Sequence, residues 1–401
     1  MQDDPDMALQ NWLDSGTNRE VTGNYNDCKL DPVRRILNRL PQTPQPITIA
    51  GTKGKGSTLR FLEQALLAAG RQTTSFTSPH VRLLRERWRL DGKPVSADLA
   101  WEAALKVKSA EHVGGERLTY FERCFALACI LASDRPDALF LLEVGIGGRL
   151  DCANTLDAQI AIVTHIGFDH CRILGHSLAA IAREKSAIAR PGRPLLISHQ
   201  SLLKDKELSS AIPAGVTAHR IPPLPTDTPL GLAGTHQLEN AATALAAFRL
   251  CCPGLNANTA LNAFADTNLA ARCQLVVDDK GRRILVDAAH HDTSIAATLT
   301  EAEKCLRPGW ICLLGLAKDK EIDRILKVLP PIDRLHRCAY DWHRSFGEHD
   351  WPPPLLSCPW HPDIKQALST LPIERDICIL GSFYLAGEAL SLLTPDSVTP
   401  G

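Results

Sequence analysis

An α/β fold with a largely parallel sheet covered by helices, divided into two domains, is predicted by three observations. Apolar strand-like runs alternate with helical patterns along the chain. A glycine-rich loop follows the first clear run and launches a helical pattern. Finally, 401 residues with 44% hydrophobic content exceed what one core of ordinary size holds. The clearest strand runs are Ile47–Ala50, Ala138–Leu142, Ile160–Val163, Leu195–Ile197, Ile284–Val286, Trp310–Leu314 and Ile377–Leu380. Loops are expected at the Pro-rich stretch 221–230 and at Trp351–Pro354, and no internal repeat is visible.

The first run opens into I-T-I-A-G-T-K-G-K-G-S at 47–57. Leu59, Leu62, Leu66 and Ala69 fall on one helical face, and Gly70 follows where a C-terminal cap belongs. Strand, glycine loop and helix in that order aim backbone N–H groups and a helix N-terminus at one spot suited to a phosphate. Lys55 is placed to reach terminal phosphates and Ser57 to hold magnesium. The Gly51-to-Lys55 spacing is shorter than the ordinary Walker pattern, and a glycine turn between strand and helix is also compatible with a simple tight connection.

The run Ala138–Leu142 ends in Glu143, followed by V-G-I-G-G-R-L-D. A carboxylate at the carboxyl end of a buried parallel strand is where open α/β sheets place ligand-binding groups, although an edge residue would read the same. After Ile160–Val163 come His165, Phe168, Asp169 and His170. A zinc trio of His165, His170 and His176 fits no common spacing, and magnesium prefers oxygen, so a hydrogen-bonded histidine competes with a ligand here. Ser177 is a fitting N-cap for a helix whose apolar face holds Leu178, Ile181 and Ile188, with Lys185 in the middle of it. An ammonium there must snorkel out, find a partner or lose its proton.

Taken together, G-T-K-G-K-G-S-T, T-S-P-H (77–80), T-Y-F-E (119–122), L-E-V-G-I-G-G-R-L-D-x-x-N (142–154), F-D-H (168–170) and R-E-K-S-A-I (183–188) resemble the folylpolyglutamate synthase and dihydrofolate synthase family of Mur-type ligases. The resemblance continues through G-T-H-Q-L-E-N-A (234–241), Arg272, D-A-A-H (287–290), L-A-K-D-K-E (316–321) and G-S-F-Y-L-A-G-E (381–388). It covers about residues 30 to 390, in the family's order. It implies a P-loop ATPase domain over 1–270 and a smaller Rossmann-like domain over 271–401, with ATP between them. It also implies glutamate joined to a pterin- or folate-type carboxylate through an acyl phosphate, with magnesium at two sites.

By resemblance, Gly51, Thr52, Lys53, Gly54, Lys55, Gly56, Ser57 and Thr58 form the phosphate loop. Ser57, Ser78 and Glu143 serve the first metal. His170 and Lys185, the latter as a carbamate formed with carbon dioxide, serve the second or orient the acyl phosphate. Asn240, Arg272, Asp287 and His290 fall where the family contacts nucleotide. The chain departs from the pattern at Lys53, where the family has Asn, and at His291-Asp292, where it has Asn-Pro.

Charge and composition agree with small-molecule chemistry. Lys plus Arg (44) balance Asp plus Glu (45), which gives no electrostatic reason to expect nucleic acid or an acidic membrane. Thirteen cysteines, scattered from Cys28 to Cys378 without a C-x-x-C pair, suit reduced thiols in a cytoplasm. No apolar run approaches the roughly 18 residues of a membrane helix, and the acidic start M-Q-D-D-P-D does not read as a signal peptide. A cytoplasmic monomer is expected. A diverged ligase acting on a non-folate acid is the alternative that the Lys53 and His291-Asp292 departures favour. A regulatory ATP-binding protein is disfavoured by Glu143, His170 and Lys185 occurring together, and a peptidoglycan ligase by a phosphate loop beginning near residue 51.

Overall fold

The computed structural model describes residues 4–19, 29–199, 203–318 and 320–394. Cys28, Asp319 and the first three residues of the acidic start lie outside them. Strands β1 (Ile47–Ala50), β2 (Thr73–Phe76), β3 (Trp88–Leu90), β4 (Lys93–Pro94), β5 (Leu139–Glu143), β6 (Ile160–Val163), β7 (Pro194–Ile197) and β8 (Thr217–Arg220) form one sheet. Their order is β4-β3-β2-β5-β1-β6-β7-β8, parallel from β2 to β8 with β3 and β4 antiparallel at one edge. A second sheet has the order β13-β12-β11-β14-β10-β9. It comprises β9 (Gln274–Val277), β10 (Arg283–Val286), β11 (Ile311–Leu314), β12 (Leu335–Cys338), β13 (Trp360–His361) and β14 (Ile377–Leu380), with only β9 antiparallel.

Both sheets are covered on two faces, which is why their central strands read as continuous apolar runs. In β1, Ile47 and Ile49 enter one core while Ala50 enters the other. The former core takes Leu59, Leu62 and Leu66 from the helix Lys55–Ala68 and Ala244 and Phe248 from the helix His236–Cys251. In β10, Ile284 and Val286 face one core and Leu285 the other.

Each predicted strand is present, but Ala138 and Trp310 stand just before β5 and β11. Ala69 caps the loop helix rather than continuing it, and Gly70 beyond has φ 72°. The helix capped by Ser177 ends at Ser186, so Ile188 lies past it, though still buried. The stretch 221–230 is loop, and Pro353–Leu355 in the second predicted loop makes a short 3-10 turn.

A buried polar knot secures the loop helix to the sheet. Glu63 accepts from Ser75 Oγ (2.6 Å), Arg60 Nη1 (2.8 Å) and Arg89 Nε (3.2 Å). Burial alone would raise its carboxyl, but Arg89 and Arg60 outweigh that and hold it below the usual range. Glu63→Ala would strand two buried guanidinium groups and is expected to cost about 3–5 kcal/mol in urea unfolding. A loss below about 1 kcal/mol would mean that water already serves the arginines.

The sheets meet closely on one side. Gly387, in the helix Phe383–Leu393, approaches Val81 so nearly that a Cβ there would lie 2.0 Å from Val81 O. Beside it Arg82 Nη2 donates to Thr394 O at 3.2 Å.

Candidate active site

The carboxyl ends of β1, β5 and β6, the three central neighbours of the first sheet, converge on the loop 51–54. Thr52 N donates to His165 O at 2.8 Å, and Thr164 Oγ1 donates to Lys53 O at 2.6 Å, so the residues after β6 shape the loop. Thr52 Oγ1 accepts from Gly167 N (3.1 Å) and donates to Gly167 O (3.0 Å).

Two glycines are fixed by close approach as well as backbone. Gly51 (φ 156°) would place a Cβ 1.8 Å from Thr164 Oγ1, and Gly54 (φ 87°) would place one 2.2 Å from Asn240 Oδ1. Gly54 is the N-cap of the helix that begins at Lys55, so the first-turn amides of Lys55, Gly56 and Ser57 open toward the loop. The left-handed backbone alone costs a side chain about 1–2 kcal/mol. Gly54→Ala is therefore expected to weaken nucleotide binding by at least about ten-fold in titration calorimetry. Unchanged affinity would show that the loop does not cradle the ligand.

Glu143 ends β5 and is 5% exposed. It accepts one backbone bond, from Ser78 N at 3.3 Å. Burial raises its carboxyl; the Lys55 ammonium and the Ser78 amide only partly offset this. Among the described residues no cation forms an ion pair with this carboxylate, although the Lys55 charge is felt there. Half-buried Ser78 adjoins it, and so does Gly56, whose neighbour Ser57 is buried; these hydroxyls and the carboxylate are hard-oxygen donors of the kind magnesium takes. Asp151 accepts from Gly145 N, Ile146 N and Ala153 N and thereby shapes the glycine turn after Glu143.

Lys185 is the least expected group to be buried, at 4% exposure. Its Nζ donates to Gly51 O at 3.0 Å, and Lys55 Nζ donates to the same oxygen at 3.2 Å. Burial, then the Lys55 charge, lowers the Lys185 amine to about 7. Of the three options open to it in the sequence, it neither snorkels nor finds a carboxylate partner within bonding distance among the described residues; its amine is instead held near neutrality.

His170 sits after β6 in a left-handed conformation (φ 48°), its ring half-exposed and 3.7 Å from Asp169. Burial lowers its proton affinity, and Lys185 and Lys55 are among the cations it feels. No group of three or more His, Cys, Asp or Glu side chains placed to hold a metal occurs among the described residues. The same holds against a zinc trio of His165, His170 and His176.

Of the remaining predicted residues, Asn240 lies against the loop at Gly54, while Arg272, Asp287 and His290 belong to the segments that flank β9 and β10. Asn240 accepts from Thr58 Oγ1 at 3.4 Å and donates to Gln237 Oε1 at 2.9 Å. Arg272 stacks over the Phe383 ring at 4.9 Å, between Ala271 (φ 54°) and Cys273 (φ 44°). Asp287 accepts from Cys273 N (2.6 Å) and Ala289 N (2.7 Å), clamping that link to the end of β10. His290 pairs Nδ1 with Ala288 O at 2.8 Å and lies against both His291 and Phe383. Contacts between Lys53 and Thr293, and between Asp169 and His291, escaped the sequence because each joins positions more than a hundred residues apart.

Residues 271–351 match the Mur ligase, glutamate ligase domain. The dihydrofolate synthase/folylpolyglutamate synthase of Escherichia coli K12 is 33% identical over 339 residues, covering 78% of each chain. The chain belongs to the dihydrofolate synthase/folylpolyglutamate synthase family. The family's enzyme from Buchnera aphidicola (Acyrthosiphon pisum) is 27% identical and covers 96% of this chain and 98% of its own. Among solved structures, E. coli FolC in complex with DHPP and ADP superposes with a TM-score of 0.83 at 26% identity, over 96% of this chain and 98% of that one. Mycobacterium tuberculosis folylpolyglutamate synthase complexed with ADP gives a TM-score of 0.86 at 24% identity, over 98% and 99%, which speaks for the shared two-sheet α/β fold.

Proposed function

We propose that this chain is an ATP-dependent ligase that joins L-glutamate to the carboxylate of a pterin- or folate-type acid by way of an acyl phosphate. Family membership supports the reaction class. The observation that carries it to these residues is the meeting of Lys55 and Lys185 on Gly51 O, beside the buried carboxylate Glu143. A binding protein would gain nothing from a lysine amine held near neutrality, whereas a ligase needs fixed charge beside a developing phosphoryl centre.

In this reading the loop amides of 51–58 and Lys55 hold the terminal phosphates, and Ser57, Ser78 and Glu143 hold the first magnesium. When bound, magnesium neutralises phosphate charge and polarises the transferring group. Lys185, deprotonated by its surroundings, takes up carbon dioxide; the nitrogen–carbon bond forms as the amine proton leaves, giving a carbamate beside His170. Asn240, Arg272, Asp287 and His290 complete the nucleotide site. Closing the site excludes water, which would otherwise hydrolyse the acyl phosphate.

We take the domain boundary at residues 270 and 271, between the two sheets, and read the chain as a cytoplasmic monomer. The twelve described cysteines, all free thiols, fit a reducing compartment. No described helix is long and apolar enough to cross a membrane.

The test is incubation with ATP, magnesium and glutamate plus either dihydropteroate or tetrahydrofolate, reading released phosphate and the glutamylated product together. Product with one or both acids is expected. Phosphate release and product only with some other carboxylic acid would replace the folate reading by that of a diverged ligase, which Lys53 and His291-Asp292 would then explain.

A further inference from the structure

The positions at which the sequence leaves its family's pattern meet in space. Lys53 lies in the loop after β1, while His291, Asp292 and Thr293 lead into the helix Asp292–Cys305 of the second sheet. Lys53 Nζ nevertheless donates to Thr293 Oγ1 across 240 residues of sequence. Asp292 is held by Arg324 Nε at 3.1 Å, and Lys53 adds a second positive charge beside it from the first sheet's side. His291 Nε2 stands 3.8 Å from Asp169 Oδ1, which is carried by the segment after β6.

The backbone of Lys53 is anchored differently from its amine. Lys53 N reaches back to His165 O (3.4 Å), and Lys53 O accepts from Thr164 Oγ1 (2.6 Å). The residue thus belongs to the first sheet through its main chain and to the second through its ammonium. An Asn at this place carries its amide nitrogen two bonds closer to the backbone and is too short to span the same gap. The amine points at a hydroxyl of the other body rather than back at the amides of its own loop.

We propose that Lys53 is a positioning residue that ties the phosphate loop to the first turn of the helix Asp292–Cys305, so that loop order depends on how the second sheet's unit is docked. A charge-assisted bond to Thr293, next to the Asp292–Arg324 pair, links loop placement to docking. The kinetic part of this inference rests on the ligase reading above; the structural part does not.

The structural test is hydrogen exchange on the full chain without ligands, comparing Lys53→Met, Thr293→Val and the double variant. Each single change is expected to speed exchange about five-fold in both 51–57 and 292–297, as loss of one net hydrogen bond allows. The double variant should exchange no faster than the faster single, because one interaction is being removed twice. Lys53→Arg should restore part of the protection. Unchanged protection in Lys53→Met, or additive effects of the two changes, overturns the proposal.

In the ligation assay, Lys53→Met and Thr293→Val should lower kcat to a similar extent and weaken the nucleotide Kd equally, by no more than about five-fold, the factor by which loop order is lost. A Kd weakened by Lys53→Met alone, with Thr293→Val indistinguishable from the parent, would make Lys53 a phosphate ligand and would also overturn the proposal. Exchange needs no substrate, so its failure leaves the ligase reading standing, and failure of ligation leaves the exchange result intact.

Discussion

Lys185→Ala is expected to lower ligation at least about a hundred-fold, the loss typical when a preorganised charge beside a reacting centre is removed. Lys185→Arg should be as inactive: it keeps a cation near Gly51 but has no amine able to carry a carbamate. A positively charged lysine that merely braced the loop would tolerate arginine, so activity in Lys185→Arg would reject the carbamate. The pH dependence has a definite sign. Because the amine is lowered to about 7, its neutral, carbon-dioxide-accepting form grows as pH rises through that value. At fixed carbon dioxide pressure the rate should therefore climb across about pH 6 to 8 rather than near the ordinary lysine range. Intact mass with trapped carbon dioxide checks the adduct itself.

Glu143→Gln should separate function from stability. The amide oxygen can still accept from Ser78 N, but the charge proposed to hold a metal is gone, so kcat is expected to fall about a hundred-fold. Stability should move the other way. Glu143 has its carboxyl raised by burial, so the folded state without a cation binds that proton more readily than the unfolded chain. The penalty is absent below the unfolded value and appears as pH rises through the raised one. At neutral pH a neutral isostere removes it, and the melting temperature should stay level or rise. A Glu143→Gln chain that is fully active, or one that melts well below the parent, would show that the carboxylate serves a structural partner instead.

Legibility in the sequence followed the range of the interactions. The unit β1, loop and helix was readable because an apolar run, three glycines and a 3.6-residue pattern sit within one short stretch. Glu143 and Lys185 were readable as anomalies, a charge at the end of one apolar run and in the middle of another apolar face. β2 was not: Thr73-Thr74-Ser75-Phe76 looks polar, yet it is buried beside β5, with Ser75 donating to Glu63. Edge strands β3 and β4 are too short to carry a period. The common acceptor of Lys55 and Lys185, Gly51 O, and the bridge from Lys53 to Thr293 depend on chain segments far apart in sequence, which no local pattern encodes. The roles of Asn240, Arg272, Asp287 and His290 rest on resemblance; their contacts, Asn240 with Thr58 and Arg272 with Phe383 among them, join segments far apart in sequence and were not legible in it.

In the proposed reaction, the loop, Glu143 and Lys185 position ATP so that its terminal phosphoryl group passes to a substrate carboxylate before glutamate attacks. The most direct measurement follows heavy oxygen. A pteridine acid labelled with heavy oxygen in its carboxylate is incubated with the chain, ATP, magnesium and glutamate, and the released phosphate is weighed by mass spectrometry. The account predicts that one labelled oxygen passes from the acid to phosphate for each amide formed, because the acyl phosphate breaks on the carbon side of that oxygen. Amide formed with unlabelled phosphate would contradict it.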